Sequence, residues 1–196
     1  CRRQRQMCIR DSFADAVPAD FLGQAAIGMM SHLPTRTANG ELVIVLHAEK
    51  LADYAASEYS MSDMLRFSVF YMRRMMEDER TQVHGVIMLE NLANYPMFAM
   101  NKMKGAGPSG MKASFDWLGV SPLRLRGIYG CHTPWYVGMM LAMVKPFMSK
   151  KLRDRVSLHD KDTAAMLAEA GLDPKDVPPE YGGTLQGFDY GWHLKG

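Results

Sequence analysis

The chain reads as an α/β domain in which a mixed, mostly parallel sheet is layered with flanking helices. Three observations predict this. Short branched apolar runs recur between turn signals, at residues 42–47, 86–89, 123–131 and 156–159. Segments with helical spacing or caps, at 60–79, 135–144 and 163–170, fall between them, and strands separated by helices imply a layered α/β domain. The run at 86–89 does not alternate polar with apolar residues, which suits burial on both faces by helices.

Taken in order, the first strand is Leu42–His47, introduced by Asn39-Gly40. Ser60 followed by Asp63 resembles a capping box that opens a helix running to about residue 79. On that helix Met61, Leu65, Ser68, Met72 and Met75 or Met76 share a face, with Asp63, Arg66, Arg73, Arg74 and Glu77 available for a wetter side. The strand at 86–89 follows, then a Gly/Pro-rich stretch at 104–110 that separates helical pieces. The third strand, at 123–131, runs into a helix, Trp135–Val144, that ends near Pro146. A fourth strand at 156–159 precedes a last helix, Thr163–Ala170, capped by Asp162 and stopped by Gly171.

With 196 residues and 47% hydrophobic content, the chain is long enough for one sizeable core and too short for two ordinary domains. No uncharged apolar run approaches the roughly 20 residues that cross a bilayer. Residues 1–12 resemble the in-frame translation of a sequencing adapter, or else form a solvated basic arm; they are set apart from fold reasoning. Residues 13–38 then form an N-terminal remnant, 39–183 the domain and 184–196 a tail. Without the first twelve, Lys+Arg falls from 23 to 19 and Asp+Glu from 21 to 20, so the net charge moves from +2 to −1. A global basic balance therefore gives no support for a nucleic-acid partner. Of 3 cysteines only Cys131 remains, which excludes a disulfide framework and suits a reducing compartment.

Charge is concentrated instead. Between Leu123 and Arg155 seven basic residues (Arg124, Arg126, Lys145, Lys150, Lys151, Arg153, Arg155) stand against Asp154 alone, a local charge of +6. Strict alternation along the third strand would put Arg124, Arg126 and Ile128 on one surface, with Leu123, Leu125 and Tyr129 on the other. Paired guanidinium groups on an internal-looking strand need a partner for their charge, and their donor forks suit phosphate oxygens. The helix Trp135–Val144 carries no charged residue; such a helix is buried or touches membrane. Trp135 and Tyr136 at its start suit an interface. Methionine is abundant, at 18 residues, and Met139, Met140, Met143 and Met148 near this helix would make a deformable apolar wall.

The order basic strand, apolar helix, Lys145-Pro146-Phe147-Met148, basic residues 151–155, short strand, then Val177-Pro178-Pro179-Glu180-Tyr181-Gly182-Gly183 resembles the CRAL-TRIO lipid-binding family. The resemblance covers roughly 39–183 and is strongest after Ser121. It implies a sheet floor under an apolar pocket, with Trp135–Val144 as a movable lid. It places the pocket lining on Leu65, Ser68, Met72, Leu118, Ile128, Met140 and Met143, to which Val144 and Phe147 are added. Anionic headgroup contacts fall on Arg124, Arg126, Lys151 and Arg155. The implied function is to bind a hydrophobic lipid (a phosphoinositide, tocopherol, retinoid or similar molecule) and transfer it between membranes as a cytoplasmic, peripherally associating monomer. No other cofactor, metal, nucleic acid or covalent chemistry is implied. Two departures bear on the cargo. His132-Thr133-Pro134 stands where Asn-x-Pro is usual, and Met88-Leu89-Glu90-Asn91 replaces an acidic residue often found where the second strand ends.

Two other functions fit less of the pattern: a lipid-sensing recruitment module within a larger signalling protein, and an α/β-hydrolase-like enzyme. Cys131 and His132 invite a nucleophile reading, but neighbours on a strand point to opposite faces. His84, His159 and His193 lack metal-ligand spacing, and Asp160, Asp162 and Glu169 are better placed as caps or solvated residues than as paired acids.

Overall fold

The computed structural model describes residues 21–47, 50–93, 95, 109, 112, 116 and 123–188. In chain order they form α1 (Leu22–Ile27), β1 (Met30–Arg36), β2 (Leu42–His47), α2 (Lys50–Ala56), α3 (Met61–Met75), α4 (Glu79–His84), β3 (Val86–Asn91), β4 (Leu125–Cys131), α5 (Trp135–Val144), α6 (Lys150–Arg153), β5 (Val156–Leu158) and α7 (Thr163–Ala170). The sheet has the order β1-β2-β3-β4-β5. β1 is antiparallel to β2 and every other pair is parallel, so the expected mixed, mostly parallel sheet is present.

Helices cover both faces, as the non-alternating strands require. On one face Leu42, Ile44, Val86, Met88 and Leu125 pack with Tyr54 of α2, with Phe67, Tyr71 and Met72 of α3, and with Met148 and Leu152. Leu141 and Val144 of α5 close over the same cluster. On the opposite face Val43, Val45, Ile87, Leu89 and Cys131 pack against Met166, Leu167 and Ala170 of α7, and against Val177 and Tyr181. A small third cluster joins Leu92 and Val137 with Tyr95, Tyr136 and Met140.

Helix ends follow the local chemistry. Ser60 and Asp63 form the reciprocal capping box of α3, and the hydrogen bonds from Ser60 hold the Asp63 carboxyl below the usual range. Asp162 accepts from the Ala165 amide at the start of α7, and Gly171 ends it at φ +68. α3 is shorter than predicted: it stops at Met75, and α4 begins at Glu79. The break is imposed from a distance. Asp78 accepts from the Arg80 amide at 2.8 Å and from Arg36 of β1 at 2.6 Å, so it caps a new helix rather than continuing the old one.

The segment 177–183 is bolted beneath the sheet. Tyr181 is fully buried; its hydroxyl donates to the Leu46 carbonyl at 3.2 Å and meets His47 Nδ1 at 3.2 Å, while His47 Nε2 lies 3.2 Å from Ser31 Oγ. Gly182 sits at φ +86, and a Cβ on Gly183 would lie 1.8 Å from the Val177 carbonyl. Only glycine fits either place.

Two strands differ from expectation. β1 lies N-terminal to the first strand read from sequence; Pro34 and its polar residues hide a strand that exists by pairing with β2. The β3/β4 ladder slips, with Val86 opposite Leu125 but Ile87 opposite Gly127. The extra residue, Arg126, is a bulge. Leu125 therefore joins Ile128 in one cluster, and the expected shared face of Arg124, Arg126 and Ile128 does not form.

Candidate functional site

α5 connects the end of β4 to the short turn Lys145–Phe147, and α6 then leads into β5. Its ten residues are uncharged and its two sides differ. Val137 is buried, Leu141 and Val144 lie against the sheet-face core, and Tyr136 and Met140 lie in the third cluster. Trp135, Met139 and Met143, spaced four apart on one stripe, are 82%, 64% and 40% exposed. An apolar stripe held in water next to a core-facing stripe is the geometry of a helix with two apolar environments.

The predicted pocket residues divide. Met72 is buried in the core of the α5 face, and Ile128 and Val144 pack at its margin. Leu65, Ser68 and Phe147 are half-buried; Ser68 Oγ donates to the Met64 carbonyl at 2.8 Å. Met140 belongs to the third cluster, whereas Met143 stands on the outward stripe, apart from the others. Leu118 lies outside the described residues.

The basic residues gather at the start of β4 and β5. Arg124, just before β4, and Arg126, at the bulge, are exposed rather than internal. Arg124 Nη1 donates to the Val83 carbonyl at 3.1 Å and Arg126 Nε to the His84 carbonyl at 2.9 Å, so both cap the carboxyl end of α4. Arg155, half-buried, donates to the Leu125 carbonyl, which brings it beside them. Lys151 projects from α6 with no hydrogen bond or ion pair among the described residues, while its neighbour Lys150 approaches Asp154 at 3.7 Å. Each arginine uses part of its donor fork on a backbone carbonyl and keeps the rest for another acceptor.

One functional candidate escaped the sequence reasoning, where Glu90 appeared only as part of a departure. Alternation along β3 sends Ile87 and Leu89 to the α7 side and Val86 and Met88 to the α5 side. Asn91 agrees, since its Nδ2 donates to the Glu180 carbonyl on the α7 side. Glu90 therefore faces α5, between Leu46 of β2 and Gly130 of β4. Loss of solvation pushes its carboxyl up to about 7, and no hydrogen bond or ion pair reaches it from the described residues. The signal was in the strand: a carboxylate at the next same-face position after Val86 and Met88.

The groups that could suggest catalysis are held otherwise. Cys131 is fully buried on the α7 side, and burial pushes its thiol up to about 12. Ser157 Oγ and Glu169 Oε2 both meet His159 at the same Nε2, at 3.2 and 3.1 Å, so the ring is not bridged through its two nitrogens as a serine–base–acid relay requires. Among the described residues no three His, Cys, Asp or Glu side chains gather to hold a metal, and no helix is long and apolar enough to cross a membrane.

Residues 29–183 match the family model described as CRAL/TRIO domain. Clavesin-2 of Homo sapiens is 29% identical over 153 residues, covering 78% of this chain and 44% of that protein. Clavesin-1 of Mus musculus is 28% identical over 165 residues, covering 84% and 44%. The chain thus spans less than half the length of these curated relatives. A solved structure, "Crystal structure of Sfh5", superposes with a TM-score of 0.64 at 12% identity, covering 98% of this chain and 73% of that one, a likeness of fold.

Proposed function

We propose, from the premise that this chain belongs to the CRAL/TRIO domain family, that it encloses an apolar lipid between the sheet and α5 and delivers it to anionic membranes. The observation that carries this proposal is α5 itself. The helix holds Trp135, Met139 and Met143 in water while Val137, Leu141 and Val144 face the protein. Exposing a tryptophan and two methionines is unfavourable in solution and favourable at a bilayer surface, where the aromatic ring settles at the headgroup level. Docking would thus draw on the outer stripe, and movement of the helix would open the inner one.

Val137, Leu141 and Val144 hold the helix to the sheet face through side-chain packing. That is a suitable attachment for a part that has to open. Enclosed cargo gains about 25 cal/mol for each Å² of apolar surface removed from water, with no covalent step. Arg124, Arg126, Lys151 and Arg155 supply attraction to an anionic leaflet of about 1 kcal/mol per basic side chain.

Lys151 tests the patch most cleanly, because nothing in the described structure depends on it. Lys151→Glu changes the local charge by two. That predicts a loss of about 2 kcal/mol, or roughly thirtyfold weaker binding to phosphatidylcholine vesicles containing a phosphoinositide. Binding to phosphatidylcholine alone stays as it was. Delivery of a fluorescent lipid from neutral donor to anionic acceptor vesicles falls in parallel. Undiminished binding and delivery would remove the basic edge from the mechanism.

A further inference from the structure

We propose, resting on the membrane docking described above, that Met139 and Met143 form a reversible oxidation switch: peroxide converts their thioethers to sulfoxides and so releases the protein from the bilayer. Among the methionines whose side chains are described, only these two are exposed. Met29, Met30, Met72, Met88, Met148 and Met166 are buried. Met139 and Met143 stand four apart on the outward stripe of α5, following Trp135 at the same interval, so they are neighbours on one face of the helix. The adjoining row of the helix surface carries Gly138 and Ala142, small and exposed, and a Cβ added to Gly138 would meet no atom within 4 Å. Both thioethers are therefore open to water and to small solutes.

The chemistry balances with hydrogen peroxide as the oxidant. A sulfur lone pair attacks one peroxide oxygen, the O–O bond breaks, an S–O bond forms and, after proton transfer, water leaves; the sulfur loses two electrons and the peroxide gains them. A sulfoxide is polar, and in the docked state it would have to settle where the stripe places apolar groups. A reductase working with a dithiol reverses the step: the oxygen departs as water while the dithiol closes to a disulfide. Leucine would give an equally apolar stripe without this reactivity, which is what a thioether adds at these two positions. Cys131 offers no comparable target, since it is buried on the α7 side and its thiol is pushed up to about 12. Arg126 and Lys151 belong to β4 and α6 rather than to the stripe, so oxidation removes apolar anchoring and leaves the attraction to an anionic leaflet in place.

The test treats the purified chain with hydrogen peroxide, removes the excess with catalase, maps oxidation by peptide mass spectrometry and measures sedimentation with phosphatidylcholine vesicles containing a phosphoinositide. Met139 and Met143 should each gain one oxygen before Met88, Met148 or Met166 does, and vesicle binding should fall by about tenfold or more at an unchanged melting temperature. Methionine sulfoxide reductases of both epimer specificities should then restore it. In Met139→Leu/Met143→Leu, compared with its own untreated sample, peroxide should leave binding where it was. An equal proportional loss in the leucine variant and the wild type would place the effect at other residues and overturn the switch. Complete oxidation of both methionines with binding intact would overturn the switch and leave docking in place. An untreated wild type that ignores the vesicles would overturn the docking and the switch together.

Discussion

Replacing Glu90 by glutamine keeps the shape of the side chain and deletes its titration. The folded carboxyl sits at about 7 and the ordinary value is 4.5. Between those pH values the folded chain holds a proton that the unfolded chain has released, so the wild type loses stability as pH rises through that window, at about 1.4 kcal/mol per pH unit. Above pH 7 the loss is complete, and below 4.5 it is absent. The full interval corresponds to a ceiling of about 3 kcal/mol. The partly accessible surface of Glu90 brings the expected value nearer 2 kcal/mol through solvent screening. Urea unfolding of wild type and Glu90→Gln at pH 4.5, 6 and 8 measures it. The variant's advantage should grow from near zero at pH 4.5 to about 2–3 kcal/mol at pH 8. In a chain of this size that is a rise of roughly 4–12 °C in melting temperature. A difference that does not vary with pH would show that the Glu90 carboxyl is solvated or paired in the folded state, and the reasoning about its surroundings would fail.

Tyr181→Phe removes a hydroxyl that serves both the Leu46 carbonyl and His47, and should cost about 1–3 kcal/mol in denaturant unfolding while leaving lipid displacement curves unchanged. Trp135→Ala should reduce vesicle partitioning by about tenfold, since burial of a large side chain contributes about 1.5–3 kcal/mol at full depth and less at an interface. Its melting temperature should hold, because the ring is 82% exposed in the free protein. Gly183→Ala should fail to accumulate as folded protein, or melt far below the wild type, because its Cβ has no space beside the Val177 carbonyl.

What was legible from the chain was whatever its neighbours in sequence decide. The ends of α5 follow from Pro134 before it and the Lys145-Pro146 turn after it, and those of α7 from Asp162 and Gly171. The start of α3 follows from Ser60 and Asp63, and the mostly parallel sheet from apolar runs separated by helices. The order of motifs around α5 and the Tyr-Gly-Gly segment carried the family, because those residues meet steric demands that few others satisfy.

The remainder needed partners that are distant in sequence. β1 is a strand because β2 pairs with it, and α3 breaks because Arg36 of β1 reaches Asp78. Arg126 and Ile128 part company because the ladder of β4 with β3 slips by one residue, which reverses what alternation assigns beyond the bulge. Glu90 is notable because three strands and a helix strip much of the water from one carboxyl. Sequence by itself determined the local caps, periods and motifs of this protein. Register, exposure and desolvation belong to the assembled fold, since each is a property of what surrounds a residue rather than of the residue.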